Sequence, residues 1–157
     1  MVIGGSEIET SKILDIRTGV WEDTSANPNP RYGHACVLYK LNGTQGVMIT
    51  GGTDFHIDPN DYYPGTVADF YQIETDTWIH LPNTSFPVEN HQMVIYEGKP
   101  TIIGGEYETF LRDVEIDGFH KRDHVQIFEG SGRNPWSCCV PSMNHKRSKF
   151  AAVAIEL

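Results

Sequence analysis

The chain has 157 residues and a formal net charge of −9 at pH 7. This length suits one domain with its own hydrophobic core, and the acidic balance argues against nucleic acids and anionic membrane surfaces as ligands, because both need a basic face. No apolar run approaches the ~20 residues that span a bilayer, and the first residues lack the basic start and long apolar segment of a signal peptide.

The cysteines point to a reducing compartment. Cys36, Cys138 and Cys139 are an odd number, and the two adjacent cysteines are poorly placed to pair with each other. Reduced thiols in the cytoplasm are the simplest interpretation. Two glycosylation sequons, which begin at Asn42 and Asn83, keep a secreted protein as the alternative.

In chain order, short apolar runs alternate with clusters of Gly, Pro, Asn and Asp, which is typical of an all-β protein. We predict three strands in a first unit, at about 1–5, 12–17 and 20–24. Four strands follow in a second unit, at 34–40, 46–52, 67–73 and 77–81. Four more form a third unit, at 90–96, 100–105, 124–129 and 136–140. The last apolar run, 150–157, has the spacing of a first strand with no second strand after it.

Three sequence marks recur in a fixed order. A glycine pair ends one apolar run in each unit, with steps of 47 and 53 residues: Gly4-Gly5, Gly51-Gly52 and Gly104-Gly105. A tryptophan follows each pair, with steps of 57 and 58 residues: Trp21, Trp78 and Trp136. A third mark keeps an arginine, a histidine or both, as in Arg31, His34, His91 and Arg147. A period near 50 residues with these marks predicts a β-propeller.

These residues resemble the kelch repeat, in which a second strand ends in Gly-Gly and a tryptophan and an arginine follow. The resemblance covers nearly the whole chain. It implies an all-β, kelch-type propeller of four-stranded antiparallel blades, with strands A to D running outward from the axis. The single domain 1–157 would hold three blades: a split blade of 1–24 plus 149–157, a second blade of 33–81, and a third of 90–140.

Three blades are too few for a ring, since propellers typically have four to eight. We therefore predict a homodimer in which the C-terminal strand of one chain pairs with the N-terminal strand of the other. Two half rings would then close one six-bladed propeller with two-fold symmetry. The alternatives are a piece of a longer protein and a part of a larger ring.

The repeated residues have structural interpretations. The glycine pairs allow a close approach between backbones, and the tryptophans fill space between blades, with each indole N–H reaching a backbone carbonyl. Arg31 and Arg147 are expected to bind carbonyls at blade junctions. His34 and His91 share one repeat position, which favours a structural role over metal binding.

Two loops break the repeat, and functional residues on repeat scaffolds usually lie in such loops. The first, 53–66, offers the binding candidates Phe55, His56, Tyr62 and Tyr63. Its acidic residues could hold a divalent cation around His56, but a solvated acidic loop is the plainer interpretation, and we predict no metal and no cofactor. The second, 106–123, offers Arg112, His120 and Arg122.

The basic residues of the second loop could meet an acidic peptide, whereas salt bridges to Glu106, Glu108 and Asp113 are the plainer expectation. Within this loop, residues 110–116 alternate like a strand. They form either an extra hairpin or the third strand of that blade.

The resemblance favours a non-catalytic protein–protein interaction or scaffold module with a protein or peptide ligand on a loop face, and we assign no catalytic residue. The alternatives are a kelch-fold enzyme of the oxidase or sugar-epimerase type and a self-assembling structural protein. The sequence contains no glycine-rich phosphate loop and no serine nucleophile elbow.

Overall fold

The computed structural model describes residues 1–3, 10–54, 65–108, 119–130, 132–137 and 141–155. Within these ranges every regular element is a β-strand, and they contain no helix long and apolar enough to cross a membrane. The strands form three antiparallel sheets of three, four and four strands, with two short two-stranded ribbons beside them. The predicted all-β class is therefore confirmed.

Sheet 1 has three strands in the order β1, β2, β3. They are β1 (Val2–Ile3), β2 (Ser11–Asp15) and β3 (Val20–Asp23). In the register of β2 and β3, Leu14 lies opposite Trp21. Strand β3 forms one edge of this sheet and β1 the other. Among the described residues no strand lies beside β1.

Sheets 2 and 3 each have four strands in simple up-and-down order along the chain. Sheet 2 consists of β5 (Ala35–Leu41), β6 (Thr44–Thr50), β8 (Ala68–Gln72) and β9 (Thr77–Leu81). Sheet 3 consists of β10 (Gln92–Tyr96), β11 (Lys99–Ile103), β14 (Val125–Phe128) and β15 (Trp136–Ser137). These strands lie within a few residues of the predicted ones.

Two ribbons join the sheets at the edge where the glycine pairs lie. The first pairs β4 (Arg31–Tyr32) with β7 (Thr53–Asp54). The second pairs β12 (Glu106–Glu108) with β13 (Phe119–Lys121). Strand β14 occupies the third position of sheet 3, in agreement with the predicted strand 124–129. Residues 109–118 themselves lie outside the described residues.

Burial separates the middle sheet from the two outer ones. Consecutive residues on the two central strands of sheet 2 are buried, so β6 and β8 are covered on both faces. Strand β5 of the same sheet exposes alternate residues, among them Leu38. On β14, Gln126 and Phe128 are buried while the residues between and before them are only partly covered, so sheet 3 has one open face. Strand β3 of sheet 1 is exposed along its whole length.

The hydrophobic core lies between sheets 2 and 3, where the inner strands β5 and β10 are neighbours. The ring of Tyr39 on β5 meets the ring of Phe128 on β14 edge to face, with centroids 6.3 Å apart. The buried members of this core are Met48, Ala68, Phe70, Leu81, Val88, Met93, Ile102, Phe128 and Trp136. At ~25 cal/mol per Å² of buried apolar surface, such side chains supply most of the stabilisation.

Residues 150–155, the described part of the predicted last strand, belong to no sheet of the single chain. Val153, Ala154 and Ile155 instead line a cavity of about 300 Å³ against the open face of sheet 3. The strand partner that we predicted for this segment would come from a second chain. The split blade and the homodimer therefore stay predictions.

Candidate binding site

The glycine pairs bring the backbone of one unit against that of the next. Gly51 and Gly104 have left-handed backbone angles, with φ of 60° and 62°, and a Cβ atom on Gly104 would lie 2.7 Å from the carbonyl oxygen of Arg147. The next glycine donates its N–H to a carbonyl of the same loop: Gly52 to Val88 at 2.9 Å, and Gly105 to Arg147 at 2.7 Å. These contacts require glycine. Gly4 and Gly5 lie outside the described residues.

Two of the three tryptophans bind the preceding sheet as expected from the sequence. The indole N–H of Trp78 donates to the carbonyl of Ser25 at 3.1 Å, and that of Trp136 donates to the carbonyl of Pro82 at 3.0 Å. In each case the acceptor lies four residues after the previous tryptophan. Trp136 is buried, Trp78 is partly buried, and Trp21, in the first sheet of the described residues, is 49% exposed.

Arg31 lies at the junction of sheets 1 and 2 and is 3% exposed. Its guanidinium is paired with the buried carboxylate of Asp69, and the bond to a backbone carbonyl that we expected stays a prediction. Asp69 also accepts hydrogen bonds from Asn29 and His80. Arg147 differs, because its side chain is exposed and its backbone makes the junction contacts.

The two repeated histidines are held by protein groups. Nε2 of His91 lies 2.9 Å from the hydroxyl of Thr50, and burial lowers the pKa of His91 to about 3, so this side chain is neutral at pH 7. Nδ1 of His34 lies 3.1 Å from the carbonyl of Arg31, and burial also lowers the pKa of His34. Across the described ranges, no three His, Cys, Asp or Glu side chains come together as metal ligands would.

Most of the predicted loop candidates fall outside the described residues. Phe55, His56, Tyr62 and Tyr63 of the first loop lie there, and so does Arg112 of the second. His120 and Arg122 are described, and both lie at the base of the β12–β13 hairpin.

The guanidinium of Arg122 lies over two aromatic rings. Its Cζ atom is 4.0 Å from the centroid of Tyr107, on the opposite strand of the hairpin, and 5.2 Å from that of Phe86, in the loop between sheets 2 and 3. The ring of His120 stacks on Tyr107 at 5.1 Å, and that of His124 meets Phe86 edge-on at 5.3 Å. We call the group formed by Arg122, Tyr107 and Phe86 the Arg122 stack.

The carboxylate of Glu106 binds residues outside the second loop instead of the described basic residues of that loop. Its carboxylate accepts from Asn90 at 2.8 Å and lies 3.3 Å from the ammonium of Lys149. Burial acts to raise the pKa of Glu106, yet hydrogen bonds from neighbouring side chains outweigh burial and hold the pKa below its ordinary value. Asp123 pairs with His124 at 3.1 Å. No carboxylate in the described part of the chain is paired with Arg122.

The sequence did not reveal Phe86 and Tyr107 as site residues. Phe86 follows Trp78 by eight residues in a loop of ordinary length, and Tyr107 lies two residues after the glycine pair. Their association depends on the junction between two sheets, where the N–H of Arg122 donates to the carbonyl of Gly105 at 2.7 Å. The sequence offered one signal for these residues: an aromatic residue in the loop between the second and third units, and another in the loop 106–123 that contains the basic residues.

No protein-family model matches the chain, and no curated protein is similar to it in sequence. Among solved structures, 106 chains match. One of them, the structure of YjhT, superposes with a TM-score of 0.71 and 15% sequence identity over 92% of this chain and 48% of its own length. The chain therefore spans about half the length of that structure. At this identity the likeness is one of fold, and it agrees with an all-β chain built from antiparallel sheets.

Proposed function

We propose that this chain is a half-propeller of the kelch type and acts as a non-catalytic protein-interaction module, with two copies closing one six-bladed ring. The single observation that carries the proposal is a strand position left unpaired near each end of the chain. Sheet 1 has no strand beside β1 among the described residues, and residues 150–155 belong to no sheet of the described chain.

The loop before residue 150 supports an inner-strand role for this segment. Equivalent positions in three successive loops, Gly33, Asn90 and Lys149, all have left-handed angles, with φ of 67°, 52° and 53°. They are joined in series, since the N–H of Asn90 donates to the carbonyl of Gly33 at 2.7 Å and that of Lys149 to the carbonyl of Asn90 at 2.9 Å. Inner strands β5 and β10 follow the first two loops, and residues 150–155 follow the third.

The open faces of the outer sheets also suit a second copy. Val94, Ile103, Val125 and Ile127 form an apolar face on sheet 3, and residues 153–155 line the same cavity. In the same chain, the equivalent face of sheet 2 is covered by its neighbour. A second copy that placed its sheet 1 there would bury this surface as sheets 2 and 3 bury theirs.

Trp21 supplies a specific contact for that interface. The other two tryptophans donate to the carbonyl four residues after the preceding tryptophan. If Trp21 follows the same rule, its indole N–H donates to the carbonyl of Val140 in a second copy. Val140 lies outside the described ranges. The 49% exposure of Trp21 would then belong to the isolated chain only.

This chain matches 48% of the length of the YjhT structure, so two copies of the chain would about equal that structure in length. The non-catalytic part of the proposal is supported by how the buried polar groups are used. Arg31 is paired with Asp69, His91 with Thr50 and Glu106 with Lys149, so each stabilises a junction between units.

Light scattering after gel filtration tests the closure. We expect a mass near twice 17.7 kDa for the full chain, and a monomer for a variant truncated after Lys149. Trp21→Ala should weaken the dimer about tenfold or more, because it removes a buried indole and its hydrogen bond, while Trp78→Ala should affect the stability of each chain and not its self-association. A full-length monomer at high concentration would contradict the ring-closure proposal.

A further inference from the structure

Positive charge is concentrated in one corner of this acidic molecule. Five of the twelve Lys and Arg residues lie in two adjoining segments, 121–122 and 146–149. The segments are joined by backbone hydrogen bonds, since the N–H of Arg147 donates to the carbonyl of Arg122 at 3.0 Å and that of Met143 to the carbonyl of Asp123 at 2.8 Å. A ligand that reached this corner would meet these cations together with the carboxylates of Glu106 and Asp123.

Within this corner, Arg122 differs from the other cations in how it is held. Its Nε atom is buried without an acceptor, and the guanidinium makes no ion pair with a described carboxylate. Lys149, by comparison, is paired with Glu106. The nearby carboxylate of Asp123 interacts electrostatically with this guanidinium without forming an ion pair, and a ligand carboxylate in direct contact would stabilise the partly buried charge further.

The rings of Phe86 and Tyr107 restrict the guanidinium without neutralising it. Contacts between an arginine and an aromatic face are attractive and favour a planar stacked orientation. A guanidinium that is already oriented loses less side-chain entropy when it binds an anion. The hairpin backbone fixes its position, since the N–H of Arg122 is bonded to Gly105.

We propose that the Arg122 stack is the anchor for a carboxylate of an acidic peptide. The planar fork of arginine matches a carboxylate in two parallel hydrogen bonds, and the exposed side chains of His120 and Lys121 lie beside it on β13. Phe86 and Tyr107 offer apolar surface to the peptide residues that flank the carboxylate. A long polyanion such as single-stranded DNA fits less well, because the remainder of the molecule would repel it.

This inference rests on the proposed role as an interaction module, but it does not depend on ring closure, because all three residues of the Arg122 stack come from one chain. The test is fluorescence anisotropy with a labelled hexaglutamate peptide, with hexaglutamine as the uncharged control. We expect the intact protein to bind hexaglutamate in low salt and to bind hexaglutamine at least about tenfold more weakly.

Matched variants separate the stack from general charge. Arg122→Gln should weaken hexaglutamate binding by at least about tenfold, as expected for loss of a charge-assisted bidentate pair, whereas Lys121→Gln, which removes the same charge from the adjacent exposed residue, should weaken it by less than about threefold. Arg122→Lys should be intermediate, because it keeps the charge and loses the planar fork. Circular dichroism confirms that each variant is folded.

Three results would overturn the inference: no binding of hexaglutamate by the folded protein, equal losses for Arg122→Gln and Lys121→Gln, or tighter binding of an oligothymidylate of equal charge than of hexaglutamate. Any of these could occur with a dimeric mass in light scattering. Failure of the peptide site and failure of ring closure are therefore distinguishable.

Discussion

The three tryptophans share a sequence position and differ in burial, because each depends on the sheet that precedes it. Trp136 packs on Phe128 at 5.0 Å and Trp78 packs on Tyr71 at 5.1 Å, but only Trp136 is fully buried. We expect Trp136→Ala to lower the free energy of unfolding by about 3–5 kcal/mol. Trp78→Ala should cost clearly less. Urea denaturation of both variants measures the difference, and equal losses would contradict the packing seen here.

His91 makes stability depend on pH in a defined direction. Its pKa is about 3 in the folded chain and about 6.5 when unfolded. Between these values the unfolded state binds a proton that the folded state does not, so stability falls as the pH decreases from about 6.5 towards 3. Above about pH 6.5, His91 is neutral in both the folded and the unfolded state and adds no pH dependence to the stability.

Substitution of His91 by glutamine tests this linkage, since glutamine can keep a hydrogen bond to Thr50 and does not titrate. The loss of stability between pH 7 and pH 5 should be smaller in His91→Gln than in the parent chain, by about 1–2 kcal/mol. Urea titrations at the two pH values measure both losses. The same pH dependence in both proteins would show that His91 is protonated in the folded state.

The turns that carry the glycine pairs differ from ordinary hairpin turns in how tightly they are packed. Gly51 and Gly98 both have left-handed angles, with φ of 60° and 73°. A Cβ on Gly51 would overlap the carbonyl oxygen of Val88 and lie 2.8 Å from the His91 ring, whereas a Cβ on Gly98 would have nothing within 4 Å.

These two glycines form a matched pair of substitutions. Gly98→Ala carries only the backbone cost of about 1–2 kcal/mol, whereas Gly51→Ala should lose at least about 2 kcal/mol more, because the junction between units must open to admit the methyl group. Thermal and urea unfolding compare the two. If Gly51→Ala lost no more stability than Gly98→Ala, the two backbones would not approach each other closely at the junction.

If two chains share one ring, the stability of the assembly depends on protein concentration. We expect the midpoint of thermal unfolding to rise over about a 100-fold increase in concentration for the full chain, because dissociation accompanies unfolding. The variant truncated after Lys149 should show a lower midpoint that does not change with concentration. A constant midpoint for the full chain would count against the closed dimer.

Much of the fold was predictable from the sequence because its determinants are local. Alternating apolar residues and turn clusters defined the strands of sheets 2 and 3 to within a few residues, as for β5 (Ala35–Leu41) and β9 (Thr77–Leu81). The indole hydrogen bonds of Trp78 and Trp136 were also predictable, since a repeated residue keeps a repeated environment.

The candidate site was less predictable, because it depends on which loops meet. The sequence singled out Arg122 and His120 but paired Arg122 with acidic neighbours in its own loop. In the folded chain Glu106 turns to Asn90 and Lys149, and Arg122 meets Phe86, a residue 36 positions earlier in the chain. The packing of sheet 2 on sheet 3 creates that contact, and no local pattern encodes it.

By itself, the sequence determined the all-β class, the order of the strands and the glycines that the junctions require, because periodicity and backbone freedom act over a few residues. The packing of the sheets determined the rest: it buries the central strands of sheet 2 on both faces, leaves Trp21 and one face of sheet 3 uncovered in the described chain, and places Arg122 over two rings. These features come from contacts between residues far apart in the chain, and such contacts form only when the sheets have packed.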